Sequence, residues 1–412
     1  MIAGNHSKLA LFAFVALSLA GNAWAADKFK VLHSFHMGKN DGGGLYGSLT
    51  LDSKGNLYGM TDGGGTYGYG TIFELTPHPD GDWTEAILRN LNCNEKEGCI
   101  PQSGLVFDPA GNLYGMTSRG GSEFGSVFEL EPDAKGWSIT VLHDRGQSAN
   151  LILDQAGNLY GPMGSIGKYG EGAISELLRS EGWKEHWIYS FCSDENQQGL
   201  CLDGWSPFAG VIWGPAGSLY GTTQYGGDSP YCGNVGCGVV YELTPKKSGS
   251  WKETVLHSFP AFKGDGSVLY AGVVLDKSGN VYGATYQGGS IDCGVIFKLS
   301  PKADGTWEEA ILHDFTTLSE GCSANTLTFD AKGNLWGTSQ GGTGCEDGGC
   351  GVVFEMTPDA RGKWHYNVVH NFNDSDGAIP AAAVIFDQQG NLYGTTELGG
   401  SGGFGVVFEI TP

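Results

Sequence analysis

Six times along the chain an acidic residue stands directly before a glycine, in segments of similar text: Asp41, Glu97, Asp203, Asp265, Glu320 and Asp376. A seventh equivalent position carries Arg145 before Gly146. Carboxylates gathered on one surface can attract cations or accept hydrogen bonds from sugar hydroxyls. Carboxylates that open a turn can equally serve only to cap backbone amides. Both readings apply to the six acids, and Arg145 breaks their ring at one point. Calcium is the one cofactor that such an acidic set would suit, and no other is implied.

A second series lies elsewhere. Arg89, His143, Tyr189, His257, His313 and His370 each follow a tryptophan by six residues. The tryptophans are Trp83, Trp137, Trp183, Trp251, Trp307 and Trp364. Even spacing on an extended strand puts both side chains on one face. Histidines at the same place in diverging copies do not meet on one ion. They are expected to pack or hydrogen-bond between copies, and no metal site is assigned.

The cysteines offer cross-linking chemistry. Cys93/Cys99, Cys192/Cys201, Cys232/Cys237 and Cys345/Cys350 are close in sequence, and Cys293 and Cys322 remain as a fifth pair. The rival reading is zinc, with four residues between the cysteines of the third and fourth pairs. It lacks a second Cys or His pair at structural-zinc spacing. Familiar catalytic text also fails on context. Gly337–Gly341 and Gly399–Gly403 match G-x-S-x-G, but both fall between strands rather than at a strand-to-helix elbow. Gly63–Gly68 matches G-x-G-x-x-G with no helix to follow. Asp374–Gly377 is an incomplete calcium loop, and no H-E-x-x-H occurs. No catalytic residue is assigned.

The elements that position these residues are legible in a repeated phrase. Gly55-Asn56-Leu57-Tyr58-Gly59 recurs with starts at 111, 157, 217, 279, 333 and 390, in steps of 46 to 62 residues. A period of this size signals one supersecondary unit copied and stacked. In the second unit, 104–108, 112–117, 126–130 and 137–143 read as strands A to D. They are rich in β-branched and aromatic residues and separated by Gly, Pro and Asp. The A–B turn reads Asp-x-x-Gly-Asn at Asp52, Asp108, Asp154, Asp276, Asp330 and Asp387, with Gly214 as the exception. Those aspartates are read as turn residues.

Four short strands per unit and seven units give an all-β, seven-bladed β-propeller with four antiparallel strands per blade. The run 29–35 is a strand D with no A, B or C before it, while the last unit stops after its strand C at 406–411. The N-terminal strand is therefore expected to complete the seventh blade and close the ring. Within that geometry the B–C loops and D–A links share one face. This brings Cys293 near Cys322 and makes the loop face the expected site. The third unit departs from the pattern, with Arg145 and with Gly164-Ser165-Ile166-Gly167 in place of a Gly-Gly pair.

The first 25 residues read as a signal peptide: Lys8, an apolar run from Leu9 to Ala20, then Ala23-Trp24-Ala25 before the cut. Ala26, not cysteine, follows, which argues against a lipid anchor. The remainder, 26–412, reads as one propeller domain in a secreted or periplasmic protein. A net charge of -22 disfavours nucleic acid and anionic lipid. No later run is long and apolar enough for a membrane span. A monomer is expected.

The phrase G-N-L-Y-G-T-T-x-x-G-G followed by G-x-V-F-x-L-T-P, fullest at Gly390–Gly400 and Gly405–Pro412, resembles the bacterial GloVer tandem-repeat family. The resemblance implies an exported β-propeller-like protein, often with a C-terminal surface anchor, and carries over no catalytic residue. The leading expectation is a binding module for carbohydrate or protein. The alternative is an extracytoplasmic enzyme such as a polysaccharide lyase, glycosidase or lactonase. Two or more polar residues converging on the central pocket would favour the enzyme. An aromatic-lined face would favour the binder, and the lack of any pocket a structural role.

Overall fold

The repeated phrase folds as a turn and a strand. In the first blade Asp52 Oδ1 accepts the amides of Lys54 at 2.8 Å and Asn56 at 2.9 Å, and Oδ2 accepts from Asn56 Nδ2 at 2.9 Å. Gly55 supplies the positive φ of the reversal. Tyr58 then donates to Glu74 on strand C at 2.7 Å. The same network recurs around Asp108, Asp154 and Asp387. These aspartates are turn residues, as expected. Gly59 has a separate reason: a Cβ there would lie 2.5 Å from the buried ring of Phe73.

The computed structural model describes residues 28–411 except 94–95, 122–123, 135, 164–165, 230, 234, 261–263 and 346–347. The expected signal peptide and Gly164-Ser165 lie outside the described residues. Blade 1 consists of strand A Thr50–Leu51, B Leu57–Thr61, C Thr71–Pro77 and D Trp83–Asn90. Six further sheets repeat this order, giving a seven-bladed propeller. Lys28–Ser34 pairs antiparallel with Val406–Thr411, with Val31 opposite Phe408. Strand D of blade 7 therefore comes from the start of the chain, and the ring is closed by this ladder.

Strands A are shorter than the sequence suggests. In blade 2 only Val106–Phe107 pairs, against an expectation of 104–108. The innermost residues bend toward the axis and bond across to neighbouring blades. Thr50 Oγ1 donates to Leu105 O at 2.5 Å, and Thr328 Oγ1 to Val384 O at 2.7 Å. The core lies in the seams between blades. In one seam Phe35 and Val407 of blade 7 pack with Leu57, Phe73 and Leu75 of blade 1. Burial of this kind contributes about 1.5–3 kcal/mol per large side chain.

All seven D strands carry a β-bulge at the same place. In blade 1 the register passes from Phe73↔Ile87 to Ile72↔Arg89, leaving Leu88 extra. Equivalent shifts precede His33, His143, Tyr189, His257, His313 and His370. A bulge flips the alternation beyond it. The expectation that tryptophan and histidine share a face is thus corrected. Trp83 turns back toward Tyr393 of blade 7, while His33, beyond its own bulge, turns forward toward Glu85 of blade 1.

The cysteines pair as expected: Cys93–Cys99, Cys192–Cys201, Cys232–Cys237, Cys293–Cys322 and Cys345–Cys350. No described cysteine is free. Thiolate ligation of zinc is thereby removed. Five disulfides fit an oxidising compartment. Among the described residues no helix is long and apolar enough to cross a membrane.

Candidate functional site

The seven acid-glycine positions sit at the seams, and none of them lines the central cavity. Each is engaged locally. Asp41 Oδ2 accepts the His36 amide at 2.8 Å. Glu97, 5% exposed, accepts from Arg89 Nε at 3.1 Å and Nη2 at 2.5 Å. Asp203 accepts from Tyr189 Oη at 2.7 Å and from the Ser193 amide at 2.9 Å. Asp265 accepts the Gly266 amide at 2.7 Å. Glu320 lies 3.6 Å from His313, and Asp376 lies 3.2 Å from His370. Arg145 stands over the Phe124 ring, 5.9 Å from its centroid.

The glycine after each acid has its own task. Gly42–Gly43 forms a two-residue ladder with Gly63–Gly64, tying the link to the B–C loop. A Cβ on Gly64 would lie 2.5 Å from Asp41 O, so the Gly-Gly text is needed for this close approach.

Seam chemistry follows from the bulge. The residue beyond it meets the acid of its own link and, on strand D of the next blade, the residue two after the tryptophan or, in the closing strand that lacks one, the equivalent Phe29. The latter set is Glu85, Ile139, Glu185, Glu253, Glu309, Tyr366 and Phe29. Where it is aromatic the histidine stacks: His313 on Tyr366 at 4.0 Å and His370 on Phe29 at 3.8 Å between ring centroids. Where it is glutamate the histidine faces a carboxylate, as in His143–Glu185 at 3.5 Å and His257–Glu309 at 3.4 Å. Burial pushes Glu85 up to about 7 and Glu253 and Glu309 up to about 8, with a neighbouring link carboxylate adding to each. Burial also lowers His257 to about 4.

The central cavity, of about 570 Å³, is lined by strands A and the links that feed them. Five residues after each acid-glycine position stands a residue of this lining: Tyr46, Gln102, Asn150, Phe208, Tyr270, Asn325 and Ala381. Sequence reasoning passed over this ring. Its signal was present: it is a variable position beside the prolines Pro101, Pro207 and Pro380, one residue before the chain turns inward. Among the described residues no charged side chain lines the cavity.

The ring is uneven. Phe208 and Tyr270 meet edge to face at 5.3 Å, and Tyr270 meets Tyr286 at 4.9 Å. Trp205 lies 4.6 Å from Tyr225. Gln224 Nε2 donates to Tyr225 Oη at 2.8 Å and to Tyr270 Oη at 2.5 Å, which fixes these rings. Amides occupy other positions. Asn150 Oδ1 accepts the Gly104 amide at 2.6 Å, and Asn325 Nδ2 donates to Pro380 O at 2.7 Å. Behind Tyr46 stand two carboxylates. Tyr46 donates to Glu397, and burial pushes Asp62 up to about 6 despite a hydrogen bond from Gln102.

The family model of the Gloeobacter/Verrucomicrobia repeat matches residues 84–235 and 207–412, and the chain belongs to that family. No curated protein matches the sequence. Solved structures show likeness of fold. A structure described as an ancestral GH74 enzyme has 11% identity and a TM-score of 0.56, over 90% of this chain and 48% of that one. A gluconolactonase from Xanthomonas campestris has 14% identity and a TM-score of 0.38, over 77% of this chain and 87% of the other. A luciferin-regenerating enzyme has 15% identity and a TM-score of 0.44, over 75% and 90%.

Proposed function

We propose that this member of the Gloeobacter/Verrucomicrobia repeat family is an exported propeller that binds carbohydrate at the mouth of its central cavity. One observation carries the reading: a mouth ringed by aromatics and amides with, among the described residues, no charged side chain in its lining. Aromatic faces stack on the apolar face of a pyranose, while amides donate to and accept from hydroxyls. Sugars are neutral and polyhydroxylated, so such a site suits them better than it suits an ionic ligand. The five disulfides and the lack of charge complementarity to phosphate support an exported, non-nucleic-acid role.

A second reading rests on Asp62 and Glu397. Two carboxylates beside a tyrosine, one of them held near pH 6, are the parts of a glycosidase acid–base pair. A glycan array probed with and without calcium tests the first reading. Signal for a neutral glycan that vanishes in Phe208→Ala and Tyr270→Ala is expected. The reading fails if no glycan is retained in either condition. Release of reducing ends from a bound glycan, lost in Asp62→Asn, would move the assignment to the enzyme.

A further inference from the structure

The seams between blades 7 and 1 and between blades 4 and 5 are alone, among the described residues, in bringing together a histidine and two carboxylates. The first holds His33, Asp41 and Glu85, and the second holds His257, Asp265 and Glu309. In each set the ligand atoms lie within 4.8 Å of one another. His33 Nε2 is 3.6 Å from Asp41 Oδ1 and 3.7 Å from Glu85 Oε2. His257 Nε2 is 3.4 Å from Glu309 Oε2. Donors about 2.0–2.2 Å from a tetrahedral ion stand roughly 3.3–3.6 Å apart. The histidine–carboxylate separations of 3.4–3.7 Å are close to that spacing and longer than a well-formed N–H···O hydrogen bond.

The donors are also buried. His33 Nε2, Asp41 Oδ1 and Glu85 Oε1 are buried with no well-formed hydrogen bond, as are His257 Nε2 and Glu309 Oε1, while the Asp265 and Glu309 carboxyls lie within hydrogen-bonding reach of each other. The Glu85 side chain is only 10% exposed. Buried polar atoms left in this way are costly. The other five seams lack at least one of the three donors and have something in its place. Arg89 neutralises Glu97. Arg145 replaces the link acid beside His143. Tyr189 replaces histidine and donates to Asp203. Tyr366 and Phe29 stack on His313 and His370.

We propose that these two seams are paired sites for a divalent transition cation, best fitted by zinc, that clips adjacent blades together. Each site offers one imidazole nitrogen and two carboxylate oxygens, with a fourth position for water. Calcium is a poor fit, because it takes six to eight oxygens. The site is built by the bulge, which turns His33 and His257 forward onto the next blade. The outer shell is in place: the His36 amide holds Asp41 Oδ2, and the Gly266 amide holds Asp265 Oδ1.

The test uses untagged full-length protein, stripped with a chelator, re-equilibrated with zinc sulfate and analysed for bound metal. Two equivalents per chain are expected, with a higher melting temperature and, for cobalt, the intense visible bands of a tetrahedral site. Glu85→Gln and Glu309→Gln should each remove one equivalent, and together both. Tyr189→His restores the missing nitrogen beside Asp203 and Glu253 and should add a third. Metal-free wild type after dialysis would overturn the proposal and leave a proton shared between the carboxylates. Two equivalents retained by the double variant, or no gain in Tyr189→His, would overturn it as well.

Discussion

The seams and the cavity mouth are written in the same repeat and end in opposite states. At the seams nearly every blade supplies the same parts: a tryptophan facing back, a bulge, and a polar residue facing forward. When one part changes, its neighbour changes with it. Ile139 faces an arginine that has its own acid, and Tyr366 and Phe29 face histidines that stack. At the mouth Tyr46, Phe208 and Tyr270 are aromatic, Gln102, Asn150 and Asn325 are amides and Ala381 is neither, so the ring is uneven rather than repeated. The aromatic side at Phe208 and Tyr270 is unlike the amide side at Gln102 and Asn150. Coupled positions hold the propeller closed, and uneven ones are free to take a ligand.

The largest break in this contrast comes from the closure. Removing residues 28–35 takes strand D from blade 7 and with it Phe35, which is fully buried. We expect loss of cooperative folding, an effect of the order of the whole 5–15 kcal/mol stability of a domain. A truncated protein that melts unchanged would show that the seam at blades 7 and 1 is dispensable.

Arg89→Ala should come next. It leaves Glu97 buried without its cation. Breaking a buried pair costs about 3–5 kcal/mol, and the partial exposure of Arg89 reduces this to roughly 2–3 kcal/mol. Denaturant melts of this variant should fall well below those of an exposed control such as Lys247→Ala. Equal melts would mean that the pair is ornamental.

Glu253 gives a pH-dependent effect. Burial, with Asp203 and Asp194 adding to it and Lys252 opposing it, holds its carboxyl near 8 against an ordinary 4.5. The folded protein therefore keeps a proton that the unfolded chain loses. Its contribution is present below pH 4.5 and is lost as pH rises from 4.5 to about 8. Glu253→Gln should match wild type near pH 4 and exceed it at pH 9, by on the order of 1–3 kcal/mol. Parallel stability–pH curves for the two proteins would reject a protonated Glu253.

The smallest effect on stability sharpens the contrast most. Gln102→Ala and Phe208→Ala at the mouth should each shift unfolding by about 0.5–1 kcal/mol. Glycan retention should nonetheless fall by roughly tenfold or more. If these variants unfold like seam variants, the mouth is part of the scaffold and no ligand site has been found.

Much of the architecture was legible because repetition turns weak local signals into one strong one. The turn at Asp52 needs only five residues, and it recurs. The closure was readable from an orphan strand D at the start and a last unit that lacks one, and Cys293–Cys322 from the face that both loops share. What escaped was set by single-residue events. A bulge at Leu88 has no distinctive residue type, yet it reverses every side chain after it. The acid at Asp41 was conspicuous, but the residue that reaches the cavity is Tyr46, five positions on. That distance depends on how the link bends at the rim.

The sequence by itself determined the number of blades, the order of strands, the closing segment and the pairing of cysteines, because each depends on spacing along the chain. Only the tertiary structure decided which side chains meet across a seam and which look into the cavity. Those contacts join residues from different repeats, and their direction is set by the bulge and by the curvature of the ring rather than by any local pattern.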